Sequence, residues 1–238
     1  MGGQLARLRP ALAPAGAILS LVLVLPPAVS DASHSPVVQA LQWLVFAVAT
    51  PALLAVGPAA PMIRVGRLRP FPSQPGLIAA ITLVPYLILV IAWRLPAAVA
   101  AQAGSQGLTI LEMVTLTAAG YLLWTALIGG APPATPLPRP LRAAMAAVAM
   151  WATWVIAYIT GMSVTGLTHA QAGADSRELA VAIMWAVPAV CYLPVIYVMM
   201  MRWLGEREDA GDETGRPPAN PRWPEADGSL RPPRGWNR

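Results

Sequence analysis

The sequence has no lysine, one cysteine and two histidines. A single cysteine, Cys191, cannot form a disulfide framework or a C-x-x-C metal or redox motif. Charged residues make up only 11% of the 238 positions and hydrophobic residues 56%, which is not the composition of a water-soluble domain. All the basic residues are arginines, and they lie in predicted loops and in the tail, so we predict no nucleic-acid binding.

Long apolar segments separated by polar or proline-rich loops predict an all-α integral membrane protein, a bundle of about six transmembrane helices in contact with the lipid bilayer. The predicted spans are 12–29, 37–57, 76–93, 107–128, 143–162 and 179–201. A cleaved signal peptide is the alternative for the first of them. Residues 1–204 are predicted to form the transmembrane domain. Residues 205–238, rich in Pro, Arg and acids with almost no aliphatic side chains, are predicted to form a disordered cytoplasmic tail.

The arginines predict the orientation of the chain. Most of them flank one side of the predicted spans, at positions 7, 9, 64, 67, 69, 139, 142, 202 and 207. Only Arg94 and Arg177 fall on the other side. Because positively charged loops stay in the cytoplasm, both termini are predicted to be cytoplasmic.

Glu112 is the only ionisable side chain inside a long apolar segment. An acid in such a place is costly, so it normally faces the bundle interior, finds a partner and marks a working site. In the predicted topology the second, fourth and sixth spans all begin on the outer side, and their polar or sulfur-bearing residues cluster near those beginnings. This outer-layer polar site comprises Gln39, Gln42, Thr109, Glu112, Met113 and Met184. The alternative is that these side chains only hold helices together.

Several catalytic arrangements are missing from the sequence. It has no Ser-His-Asp arrangement, no glycine-rich phosphate loop and no pair of carboxylates within the spans. Hydrolase, nucleotide-binding and proton-pump functions therefore lack the residues they need, and we predict a protein that is not an enzyme.

Three motifs resemble those of one family, the CtaG-type assembly factors of bacterial caa-type cytochrome c oxidase. The stretch QALQWLVFAVATPALLAVGPAAP is similar to that family's H-x-x-Q-H followed by P-x-L-L-x-x-G-x-x-x-P. The stretch LTILEMVTLTAAGYLLW resembles its H-x-x-E-H helix, and RELAVAIMWAVP resembles its Q-Q-L-A-G-x-I-M-W. The resemblance covers most of the membrane part of the chain.

The resemblance implies an accessory role in assembling a respiratory oxidase at the outer face of the bacterial plasma (inner) membrane, including maturation of its copper centres. Oxidase subunits or a copper chaperone would be the partners. Where the family has paired histidines, this chain has Gln39, Trp43, Thr109 and Met113. We therefore expect weak copper binding or none, because few good copper ligands remain.

The candidate metal ligands that remain are Met113, Met184, His34 and His169. Two alternative functions stay open. One is a divergent scaffold or binding subunit that handles no metal, and the other is a small proton- or cation-coupled permease that uses Glu112.

Overall fold

The protein is described here from a computed structural model. The structure describes residues 35–56, 74–103, 105–128, 137–163 and 174–215, with residues 11, 14–16 and 18. Nearly all of these residues are helical, and no strand occurs among them. The helices are α1 (Pro36–Leu44), a π-helical segment (Val45–Ala49), α2 (Thr50–Val56), α3 (Pro75–Ala92), α4 (Pro96–Ala103), α5 (Gln106–Ile128), α6 (Arg139–Ser163) and α7 (Ala174–Gly215).

Five stretches of the described residues are helices long and apolar enough to cross a membrane. They are Val37–Val56, Pro75–Ala92, Gln106–Ile128, Arg139–Ile159 and Glu178–Arg207. They coincide with the second to sixth predicted spans, so the helical class of the fold is confirmed. The first predicted span, 12–29, lies mostly outside the described residues. Many large apolar side chains on these helices are exposed, which indicates contact with a lipid bilayer.

The chain divides into two compact units, Met1–Met200 and Met201–Arg238. The last helix, α7, runs through Pro188 and Pro194 and ends at Gly215, beyond the predicted domain boundary at residue 204. Within the second unit the guanidinium of Arg207 lies 4.2 Å from the centre of the Trp203 ring. Residues 216–238 lie outside the described part of the chain, and the disordered tail stays a prediction.

The membrane helix Val37–Val56 contains a π-helical turn shortly before a proline. Ser35 caps α1 by accepting a hydrogen bond from the backbone nitrogen of Val38 at 3.5 Å. Further along, Pro51 has no N–H to donate to the carbonyl of Ala47, and the π segment 45–49 ends two residues before it. Such π segments appear mostly as single wide turns inside α-helices and often lie beside functional sites.

Helix α5 packs closely against this widened segment. The hydroxyl of Thr117 donates to the carbonyl of Phe46 at 3.4 Å. One turn further, Gly120 lies so near that an added Cβ would be 2.8 Å from the carbonyl oxygen of Ala47 and 2.7 Å from Cγ of Pro51. The contact partners rise in residue number on both helices, from Thr117 with Phe46 to Gly120 with Pro51, so the two helices run in the same direction.

Aromatic contacts fasten α7 to the other helices of the first unit. The hydroxyls of Tyr86 and Tyr192 lie 3.1 Å apart in a fully buried position, joining α3 to α7. Trp124 of α5 stacks on Tyr192 with ring centres 4.9 Å apart. On α6, Trp154 stacks on Trp185 and donates its Nε1–H to the Trp185 carbonyl at 2.9 Å. Directional contacts of this kind matter because lipid removes most of the hydrophobic drive for helices to associate.

Candidate functional site

Helix α5 carries Glu112 into the protein interior. The hydroxyl of Ser105 accepts a hydrogen bond from the backbone nitrogen of Leu108 at 3.4 Å, which begins the helix. Glu112 follows about two turns later and is only 8% exposed. The helix therefore presents the one acid of this span to its neighbours and not to lipid.

Arg94 is the charged partner of Glu112. Its Nη2 lies 3.5 Å from Oε1 of Glu112, and each side chain is 10% exposed. Burial lowers the pKa of the Arg94 guanidinium from its ordinary value, while the Glu112 carboxylate opposes that shift. An arginine keeps its proton in either case, so the pair joins a permanent cation to the acid.

The turn after α3 holds Arg94 in place. Helix α3 ends at Ala92, and Nε1 of Trp93 donates to the hydroxyl of Thr115 at 3.0 Å. Thr115 lies one turn beyond Glu112 on α5, so this hydrogen bond fixes the turn directly beside the acid. Gln102, on the short helix α4 that follows, also interacts with Glu112.

Trp43 forms the wall under the ion pair. The guanidinium carbon of Arg94 lies 4.9 Å from the centre of the Trp43 ring, and Trp43 is only 2% exposed. A cation over an indole face is attracted by the ring quadrupole, more strongly where water is excluded. The indole of Trp43 therefore supports a buried cation here.

These side chains enclose a small pocket. The space open to the centre of a water molecule is about 20 Å³, enough for about one water. The wall is formed by Gln39, Gln42, Trp43, Phe46, Arg94, Glu112, Met113 and Leu116. Four of these eight residues have largely apolar side chains, and the two charged ones are a cation and a carboxylate.

The structure brings together four of the six residues predicted for the outer layer. Gln39, Gln42, Glu112 and Met113 line the pocket. Thr109 does not belong to the wall, and its hydroxyl donates to the backbone carbonyl of Ser105 at 3.5 Å. Met184 is buried but also lies outside the wall, because α7 supplies none of the pocket residues. His34 and His169 lie outside the described residues.

The donors of the pocket do not fit copper. Among the described residues of the wall, Met113 is the only one with sulfur, and the other polar groups are amides, an indole, a guanidinium and a carboxylate. Cu(I) prefers thiolate, thioether and imidazole ligands, and the fixed charge of Arg94 would repel an added cation. Within the part of the chain that the structure describes, no three His, Cys, Asp or Glu side chains group as a metal site would require. Weak copper binding stays a prediction.

The sequence alone did not identify Arg94 as the partner of Glu112. Arg94 lies in a connector on the side where the charge rule expects few arginines, and this exception was the available signal. Arg94 lies eighteen residues before Glu112, and charged residues within or beside spans normally pair with one another.

Comparisons with protein-family models, curated proteins and solved structures found no match to this chain. The function is therefore inferred from the motifs and from the geometry of the pocket.

Proposed function

We propose that the chain is a multi-pass protein of the bacterial plasma membrane that assists the assembly of a respiratory cytochrome c oxidase. It acts through the pocket around Glu112 at the outer face and performs no catalysis. Oxidase subunits, or a copper chaperone that serves them, are its partners. This role does not require the pocket itself to hold copper.

One observation supports this function above the others. Residues of two motifs, Gln39 and Gln42 on α1 and Glu112 and Met113 on α5, meet in a single pocket although they are distant in sequence. Both helices begin at the end of the bundle where the pocket lies and run in the same direction. In the proposed topology that end faces the outside. The family that the sequence resembles matures the copper centres of its oxidase on that side.

The ion pair makes a coupled permease the weaker candidate. A proton- or cation-coupled carboxyl must release and rebind its cation during transport, whereas Glu112 is held beside Arg94 in a pocket with room for about one water. A scaffold that handles no metal remains the closer alternative, because it would use the same pocket surface to bind a client subunit.

A deletion strain tests the proposed function. We expect oxidase activity in its membranes to fall severalfold and to return when the native chain is supplied from a plasmid. Growth with added copper separates the two roles at this site: recovery without the protein indicates copper delivery, and no recovery indicates a scaffold. Unchanged oxidase activity in the deletion strain would contradict both roles.

We also propose six spans with both termini in the cytoplasm, because most arginines then fall on the inner side. Alkaline phosphatase fused after residue 238 should be inactive, since the enzyme folds only outside the cytoplasm, and green fluorescent protein fused there should fluoresce. As a matched control, phosphatase inserted after residue 104, in the predicted outer connector, should be active. The reverse pattern would refute this topology.

A further inference from the structure

Two buried nitrogen atoms of the pocket wall have no acceptor among the described residues. They are Nε of Arg94 and Nε1 of Trp43. The Arg94 guanidinium lies over the Trp43 ring, so the two unpaired N–H groups belong to one stack of two side chains. A buried donor left unpaired is costly, so this part of the wall is suited to an acceptor.

The charges of the pocket favour a neutral acceptor. Arg94 and Glu112 together carry no net charge, and both side chains are nine-tenths buried. An added anion would leave an uncompensated negative charge in the interior, and an added metal cation would lie against the guanidinium. Both arrangements carry a large desolvation cost that a neutral group avoids.

The two unpaired donors and the apolar part of the wall suit a carbonyl oxygen. A carbonyl oxygen accepts with two lone pairs, one for each donor, whereas a water molecule would also direct its hydrogens at acceptors such as the Glu112 carboxylate. Phe46, Leu116 and the Trp43 ring give the wall apolar surface that water does not use. Because the free space admits about one oxygen-sized group, only the carbonyl oxygen would enter the pocket.

We propose that the pocket binds the carbonyl oxygen of a lipid-soluble ligand, through the N–H groups of Trp43 and Arg94. Two sources share this chemistry, a quinone and an ester-linked lipid. The proposal goes beyond the oxidase role and does not require it. Ligand binding to the purified chain and oxidase activity of a deletion strain are separate measurements, so either can fail alone.

The test uses the purified full-length chain in dodecyl maltoside, a detergent without a carbonyl group. Its thermal unfolding midpoint is measured against two matched pairs of probes. The first pair is duroquinone and the dimethyl ether of its hydroquinone, and the second is a phosphatidylcholine with ester-linked chains and its ether-linked analogue. We expect a saturable rise of the midpoint with the carbonyl member of one pair and none with its partner. The pair that responds identifies the source.

Two variants locate the site. Trp43→Phe keeps an aromatic ring beneath the guanidinium and removes the N–H group, so we expect about five- to tenfold weaker binding of the active probe. Trp124→Phe is the matched control, because Trp124 is equally buried, also has an unpaired Nε1 among the described residues, and lies outside the pocket wall. Its binding should be unchanged.

Two results would overturn the proposal. If neither carbonyl probe raises the midpoint of the native chain, water alone fills the pocket. If Trp43→Phe and Trp124→Phe weaken binding equally, the ligand is not held at this stack. Should Trp43→Phe fail to fold, the comparison of the matched probes on the native chain still decides.

Discussion

Replacing Glu112 alone is expected to destabilise the protein more than replacing Glu112 and Arg94 together. Glu112→Gln leaves the buried guanidinium of Arg94 without its counter-charge, and breaking a buried pair in this way costs about 3–5 kcal/mol. The double variant Arg94→Met with Glu112→Gln removes both charges and puts an apolar chain over Trp43. Such a replacement is often nearly neutral, because the cost of desolvating both ions also disappears.

The measurement is the apparent unfolding midpoint in detergent at one fixed heating rate, since membrane proteins often unfold irreversibly. Glu178→Gln is the control, because it removes an acid that is exposed at the start of the last predicted span. We expect the control to unfold at nearly the same midpoint as the native chain. The single variant Arg94→Met is measured as well. If the double variant loses as much stability as Glu112→Gln and Arg94→Met lose in sum, the two charges do not form an energetic pair.

Adding one methyl group at Gly120 is expected to destabilise the protein clearly. The Cβ of Gly120→Ala would lie 2.7 Å from Cγ of Pro51 and 2.8 Å from the carbonyl oxygen of Ala47. A proline ring and a backbone carbonyl cannot rotate out of the way, so α5 must move from the π segment. Overpacking of this kind typically costs about 1–3 kcal/mol, and Gly120→Val should cost more.

Gly107→Ala is the matched control in the same helix, because its nearest neighbour would be Oγ of Ser105 at an ordinary 3.7 Å. That variant should be as stable as the native chain or slightly more so, since alanine favours a helix over glycine. Pro51→Ala should relieve Gly120→Ala only partly, because the Ala47 carbonyl remains in the way. Equal midpoints for Gly120→Ala and Gly107→Ala would show that the close helix contact does not exist.

The Gly120 contact also bears on the site. The contacts of Gly120 and Thr117 determine the position of α5 along the helix that contains the π segment. Glu112 lies two turns before Gly120 on α5. A shift at Gly120 therefore moves Glu112 relative to Trp43. Substitution there should weaken the ion pair as well as the packing, although Gly120 is not itself part of the pocket wall.

The sequence by itself determined the class of the fold and the places of five helices. The place of each helix depends on its own segment, namely on its length, its apolar content and the prolines at its ends. None of these properties depends on the helices that pack against it. The predicted spans 37–57, 76–93 and 107–128 accordingly differ by only a residue or so from the helical spans Val37–Val56, Pro75–Ala92 and Gln106–Ile128. The choice of Glu112 as the centre of the site also came from one segment, through the cost of its charge.

Only the tertiary structure decided which side chains surround Glu112. Arg94 reaches it because a turn after α3 is fastened to Thr115, and Trp43 supports the cation because α1 and α5 run side by side in one register. Met184 shares the predicted layer by depth yet is left out of the pocket wall. Depth can be read from position along a span, but rotation about the helix axis and register between helices depend on non-local packing. A periodic pattern gives the face of one helix and cannot name the residue that faces it across the bundle.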